Sequence, residues 1–186
     1  LEVDMCGSNT IDLSSVASVG DSVSIQNNYE TEVIDLTSLM SVGGGFSISS
    51  NVDLEDLRLD ALESVDGPLS MSSNSSLSVF SVPSLTLVEG SIQLNSNNGL
   101  EEAYFDALET VEGQLRVEWH NNLQELYLPN LTELSGELYL YYNYALDTVD
   151  LSSLTEIGSN LYVYNTYELE TLILSSLVKV NGSFTV

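Results

Sequence analysis

An interval of 23 residues governs this chain. Leu13, Leu36, Leu59, Val82, Phe105, Leu128, Leu151 and Leu174 recur at that spacing with no insertion or deletion. A second column stands two residues earlier: Ile11, Ile34, Leu57, Phe80, Ala103, Leu126, Val149 and Leu172. A fixed period of this length is the signature of a solenoid, whose single coil cannot bury its own apolar edge and must stack on neighbours. Residues 1–186 are therefore expected to form one domain: an incomplete first coil over 1–10, seven full repeats over 11–171 and a partial last repeat over 172–186.

Seven apolar ladders run along the chain, among them Val16, Leu39, Leu62, Leu85, Leu108, Leu131, Leu154 and Leu177. Each unit carries two short runs of alternating pattern, such as Ile34-Asp35-Leu36 and Phe46-Ser47-Ile48. That pattern suits strands with one buried face. No stretch sustains a helical period. The expected fold is an all-β parallel solenoid of eight coils, and with strands about 4.8 Å apart it makes a rod roughly 35 Å long. Leu36, Leu59 and Leu128 should lie inside.

Two corners punctuate the unit. Glycine recurs at 44, 67, 90, 113, 136 and 182, with Asp21 and Ser159 as departures. The expectation there is a bend with positive φ, which glycine adopts without steric cost. Asn28, Asn51, Asn74, Asn97 and Asn143 mark the second corner, broken at His120 and Thr166. A side-chain amide at such a corner can satisfy backbone groups that the strands leave unpaired, and stacked amides can bond one another. Cys6 falls on this column in the first coil, either as a small buried residue or as a half-cystine paired outside this segment.

The run Leu123-x-x-Leu126-x-Leu128-Pro129-x-Leu131-x-x-Leu134-x-Gly136-x-Leu138-x-Leu140, followed by Leu-Ser-Ser-Leu-Thr-Glu-Ile-Gly at 151–158, resembles the receptor L-domain. This leucine-rich-repeat relative occurs in insulin- and epidermal-growth-factor-receptor ectodomains, in fungal cell-wall proteins of the sporulation type and in bacterial surface proteins. The resemblance covers essentially the whole chain. It implies a solenoid and an extracellular, cell-surface or cell-wall setting, and it transfers no functional residue. Uniform repeats and a single cysteine set the chain nearer the wall and microbial members than the disulfide-capped animal receptors.

Three basic residues, Arg58, Arg116 and Lys179, stand against 28 acidic ones, for a net charge of −25. Nucleic acid is excluded as a partner, because phosphate binding needs a cationic surface. An anionic membrane surface is disfavoured on the same ground. No apolar run is long enough to span a bilayer, so no membrane insertion is expected in this segment. Leu1 in place of an initiator Met marks the chain as processed or excerpted. Sequons stand at Asn74, Asn130 and Asn181; Asn74 lies on the inward corner column, which leaves Asn130 and Asn181 as glycosylation candidates.

The functional signal is aromatic. One outward column of the second strand reads Ser24, Ser47, Ser70, Gln93, Arg116, Tyr139, Tyr162, and the next reads Gln26, Ser49, Ser72, Asn95, Glu118, Tyr141, Tyr164. Serine gives way to tyrosine along the rod, and Trp119, Tyr142, Tyr144 and Tyr167 flank the late coils. Rigid tyrosine and tryptophan supply contact area at small entropic cost, which suits a glycan or a surface protein. Cross-strand tyrosine pairs also stabilise a sheet in their own right.

Acidic columns (Glu32, Glu55, Glu101, Asp147 and Glu170; Glu133 and Glu156) read as a solvated edge that could bind calcium weakly; no other cofactor is implied. One His and one Cys exclude a zinc site. His120 reads as a corner hydrogen-bonder or part of the aromatic strip rather than a catalytic base. The expected function is thus a non-enzymatic surface or wall solenoid that presents an aromatic face for recognition. The alternatives are a self-assembling subunit of an extracellular filament or sheath and, more distantly, a polysaccharide-active enzyme. The filament reading rests on Leu1-Glu2-Val3 and Phe184-Thr185-Val186, strand-like runs that would expose unpaired backbone and could add end to end, helped by cations.

Overall fold

A computed structural model describes residues 1–186 as an all-β solenoid of about eight coils with no helix. Every strand pair is parallel, and each strand pairs with its counterpart one coil away. The period sets this register directly: Ile48 lies against Met71 and Met71 against Leu94. No helix is long and apolar enough to cross a membrane.

Each complete coil contributes three strands where the alternating pattern shows two. The longest face is a nine-stranded sheet that begins at Glu2–Asp4 and Val23–Gln26 and ends at Leu161–Tyr164 and Phe184–Thr185. A second face carries the 11/13 columns and is divided, with three strands up to Asp56–Arg58 and five from Val79–Ser81 onward. The third face is built from two-residue strands such as Ser18–Val19 and Ser64–Val65. Two residues cannot display alternation, so the sequence shows this face only as the apolar ladder from Val19 to Val180 and not as strands.

Inside, 43 buried apolar residues form one cluster, with Leu36, Leu59 and Leu128 at 0–1 % exposure. Volumes trade between adjacent columns. Where Phe105 stands large on one, Ala103 is small on the other, and the Phe80 and Phe105 rings meet edge to face at 5.5 Å. Ladder residues near the two ends, including Leu13, Val16, Leu174 and Leu177, have a coil on one side only and stay half-buried.

The corner glycines have a different cause from the one expected. None of them has positive φ. They are small because successive corners press backbone on backbone: a Cβ on Gly67 would lie 2.8 Å from the Gly44 carbonyl carbon, and one on Gly90 would lie 2.5 Å from that of Gly67. Positive φ belongs instead to the residue just before the second corner: Met5, Asn27, Ser50, Ser73, Ser96, Trp119, Tyr142 and Asn165, at 52–60°.

The asparagine corner behaves as expected of it. Asn28, Asn51, Asn74, Asn97 and Asn143 are fully buried. Asn51 donates from its amide to the Ile25 carbonyl (3.1 Å) and accepts at Oδ1 from the Asn28 backbone N–H (3.1 Å) and side chain (2.9 Å). The same bonds recur along the column, so the amides form a continuous chain down the rod. Cys6 takes this place in the first coil. It is a half-buried free thiol, and its backbone N–H donates to Asn28 Oδ1 at 2.7 Å.

Candidate functional site: an aromatic strip across three coils

Three strands of the nine-stranded sheet, Leu115–His120, Leu138–Asn143 and Leu161–Tyr164, carry the aromatic residues. Alternation turns Leu138 and Leu140 inward and Tyr139 and Tyr141 outward. Parallel pairing in register then sets Tyr139 beside Tyr162 and Tyr141 beside Tyr164. All eight residues expected in the strip meet in one network of ring contacts. Tyr139 and Tyr162 (6.1 Å) and Tyr141 and Tyr164 (6.5 Å) meet edge to face, and Tyr162 stacks on Tyr164 (5.7 Å). Trp119 stacks on Tyr142 with centroids 4.3 Å apart and planes 20° from parallel. Tyr142 leans on Tyr144, which stacks on Tyr167 at 6.1 Å.

The inner rings Tyr139, Tyr141, Tyr142 and Tyr162 are half-buried by their neighbours. Trp119 (45 %), Tyr144 (39 %), Tyr164 (39 %) and Tyr167 (72 %) stand open to solvent. The strip is therefore a platform of four exposed rings braced by four others.

Two of these rings sit on costly backbone. Trp119 (φ 60°) and Tyr142 (φ 53°) occupy the left-handed position that the other complete coils fill with Asn or Ser and the partial first coil with Met5 (φ 52°). Left-handed backbone costs a non-glycine residue about 1–2 kcal/mol, and a short polar side chain eases this by bonding locally. The sequence reading included both rings and missed their conformation. The signal was present in Asn27, Ser50, Ser73, Ser96 and Asn165, a column of left-handed formers immediately before the corner amide.

Charge at the strip is closed on itself. Arg116 lies 4.6 Å over the Tyr139 ring, and its Nη2 pairs with Glu118 Oε1 at 2.7 Å. Burial, with Glu118 next, pushes the Tyr139 phenol up; a hydrogen bond with Tyr142, with burial next, does the same for Tyr141. Both phenols remain neutral hydrogen-bonding groups at physiological pH.

His120 lies behind the strip, fully buried in the corner chain. Asn143 commits its Nδ2 to the Val117 carbonyl (2.8 Å), so its Oδ1 must accept from His120 Nδ1–H (3.1 Å), which assigns the tautomer. Nε2 then accepts from Asn97 Nδ2 at 3.5 Å. Burial pushes this imidazole down from 6.5 to about 4. Its folded value lies below its unfolded one, so its contribution to stability is complete above about pH 6.5 and is lost as pH falls toward 4. The full loss is about 3 kcal/mol. Between pH 7 and pH 4, urea unfolding should show His120→Asn, which restores the column, losing about 3 kcal/mol less than the parent chain. Equal losses in both proteins would contradict the buried neutral ring.

The remaining expected sites disperse. Asn74 is sealed in the corner chain. Asn130 and Asn181 are exposed; Asn130 donates to the Asp106 carbonyl at 2.7 Å and Asn181 to Glu156 at 2.5 Å. Glu133 lies beside Glu156, which Lys179 and Asn181 hold below the usual carboxylate range. No three His, Cys, Asp or Glu side chains are grouped to hold a metal ion. No family model, curated protein or solved structure matches the chain.

Proposed function

We propose that this protein is a non-enzymatic recognition rod of a cell surface or wall, with the aromatic strip as its binding face. The observation that carries the reading is the pair Trp119 and Tyr142. Strain held against a local preference collects at functional positions. The other coils show that Asn, Ser and, in the first coil, Met serve the fold at this position without a ring. The likeness of residues 123–158 to receptor L-domains supports the surface setting. Both ring nitrogens of the one histidine are engaged inside the corner chain, and four rings of the strip stand open to solvent, which favours binding over catalysis.

The test is the double variant Trp119→Asn, Tyr142→Asn. It relieves two strained residues and forfeits ring contacts worth about 0.5–1.5 kcal/mol each, so stability should stay within about 2 kcal/mol of the parent. Pull-down on wall polysaccharides and outer-surface extracts should lose its signal. Retained binding, or a much larger fall in stability, would reduce the strip to packing.

A further inference from the structure

We infer that the strip takes a neutral, extended polysaccharide, a β-1,4-linked hexopyranose chain laid along the rod axis and across the strands. The inference rests on the recognition role proposed above and assigns its ligand class.

Three observations point to it. First, the strip offers no free cation. Arg116 is engaged by Glu118 at 2.7 Å and faces Glu137 at 4.0 Å, while Arg58 and Lys179 are paired with carboxylates elsewhere. On a chain of charge −25 nothing remains to receive a uronate or a sulfate. Second, the exposed apolar groups here are all aromatic: Trp119, Tyr144, Tyr164 and Tyr167. A protein hot spot favours arginine together with tryptophan and tyrosine, and the one arginine here is tied to Glu118 at 2.7 Å. Flat rings beside Glu118 and Asn165 suit a pyranose, which has a C–H face for the ring and hydroxyls for the amide and carboxylate. Third, the spacing fits. Parallel strands repeat about every 4.8 Å, and an extended β-1,4 chain advances by a similar distance per sugar; each sugar is turned over relative to the last, but a β-glucopyranose carries axial C–H groups on both faces, so every sugar can still offer a C–H face to the next coil. Tyr141 and Tyr164 are in register across one such step, as are Tyr139 and Tyr162. A coiled α-linked chain would leave the flat face after one contact.

Trp119 is the only tryptophan in the chain, so its emission reports on the strip itself. Titration with cello-oligosaccharides from dimer to hexamer should change that emission. Affinity should rise with length up to about the trimer and then level off, because the strip spans three coils. Tetragalacturonate should produce no change, and maltotetraose should bind more weakly by about tenfold or more. Tyr141→Ser with Tyr164→Ser keeps the reporter and copies the early coils at Ser49 and Ser72. It should lower cellotetraose affinity by about tenfold or more, with circular dichroism unchanged. A response to the acidic oligomer, equal affinity for maltotetraose, no length dependence, or no loss in the tyrosine variant would overturn the ligand assignment. If no oligosaccharide responds but outer-surface extracts still bind in a manner that needs Trp119 and Tyr142, the ligand class falls and the recognition role stands. If neither binds, both fall.

Discussion

Asn74→Leu should destabilise the solenoid by about 2–6 kcal/mol, although leucine is close to asparagine in size and better suited to an apolar interior. Asn74 Oδ1 accepts from the Asn51 backbone N–H at 3.1 Å and the Asn51 side chain at 3.3 Å. Its Nδ2 donates to the Ile48 carbonyl at 3.0 Å. Leucine strands that N–H and that carbonyl at a corner with no exposure, where water cannot replace the lost partner. Each orphan costs about 1–3 kcal/mol. Guanidinium unfolding measures the loss, and hydrogen exchange should show the Asn51 amide opening ahead of amides several coils away. A loss below about 1 kcal/mol, with Asn51 still protected, would mean that the corner backbone has other partners.

Leu128→Ala is the second large effect, at about 2–5 kcal/mol through lost burial and the cavity left behind. Leu128 is fully buried, and its backbone N–H donates to the Asp150 carbonyl at 2.9 Å, so the coil is held in place while the side chain shrinks. The alanine already in the core shows what relief would require. Ala103 is accompanied by Phe105, whose ring meets Phe80, whereas beside Leu128 the neighbouring column holds Leu126, an ordinary ladder residue. Phe105, one coil back in the same column, is already held edge to face against Phe80 at 5.5 Å. Denaturant unfolding that falls by less than about 1 kcal/mol would mean that the coils close over the site.

His120 is the clearest case of a residue whose role its neighbours decide. On the sequence it breaks an asparagine column beside a tryptophan, and both a corner role and a place in the strip fit that pattern. Once stacked, it is fully buried between Asn97 and Asn143, which settles its tautomer and depresses its basicity. Trp119, one residue earlier, emerges at 45 % exposure on left-handed backbone. Adjacent residues part to opposite sides because of the corner's dihedral angles, whose one trace in the sequence is the Asn and Ser column just before the corner.

The 23-residue interval by itself determined the coil, the parallel register, the inward columns and the collection of eight aromatic residues on one late stretch of the rod. Those follow from period and alternation alone, since a slip of one residue would turn every ladder outward. Tertiary structure alone decided three other matters. The third face rests on two-residue strands too short to show alternation, though its inward column recurs every 23 residues. The glycine corners are small because one coil's backbone presses on the next, a constraint between coils rather than a bend within one. And the strip became a braced platform, with Arg116 set over the Tyr139 ring of the next coil, only when stacking brought rings 23 residues apart within 4.3–6.5 Å. Sequence spacing states which residues share a face; ring orientation and ring-to-ring packing arise from the atoms of neighbouring coils and exist only once those coils are in contact.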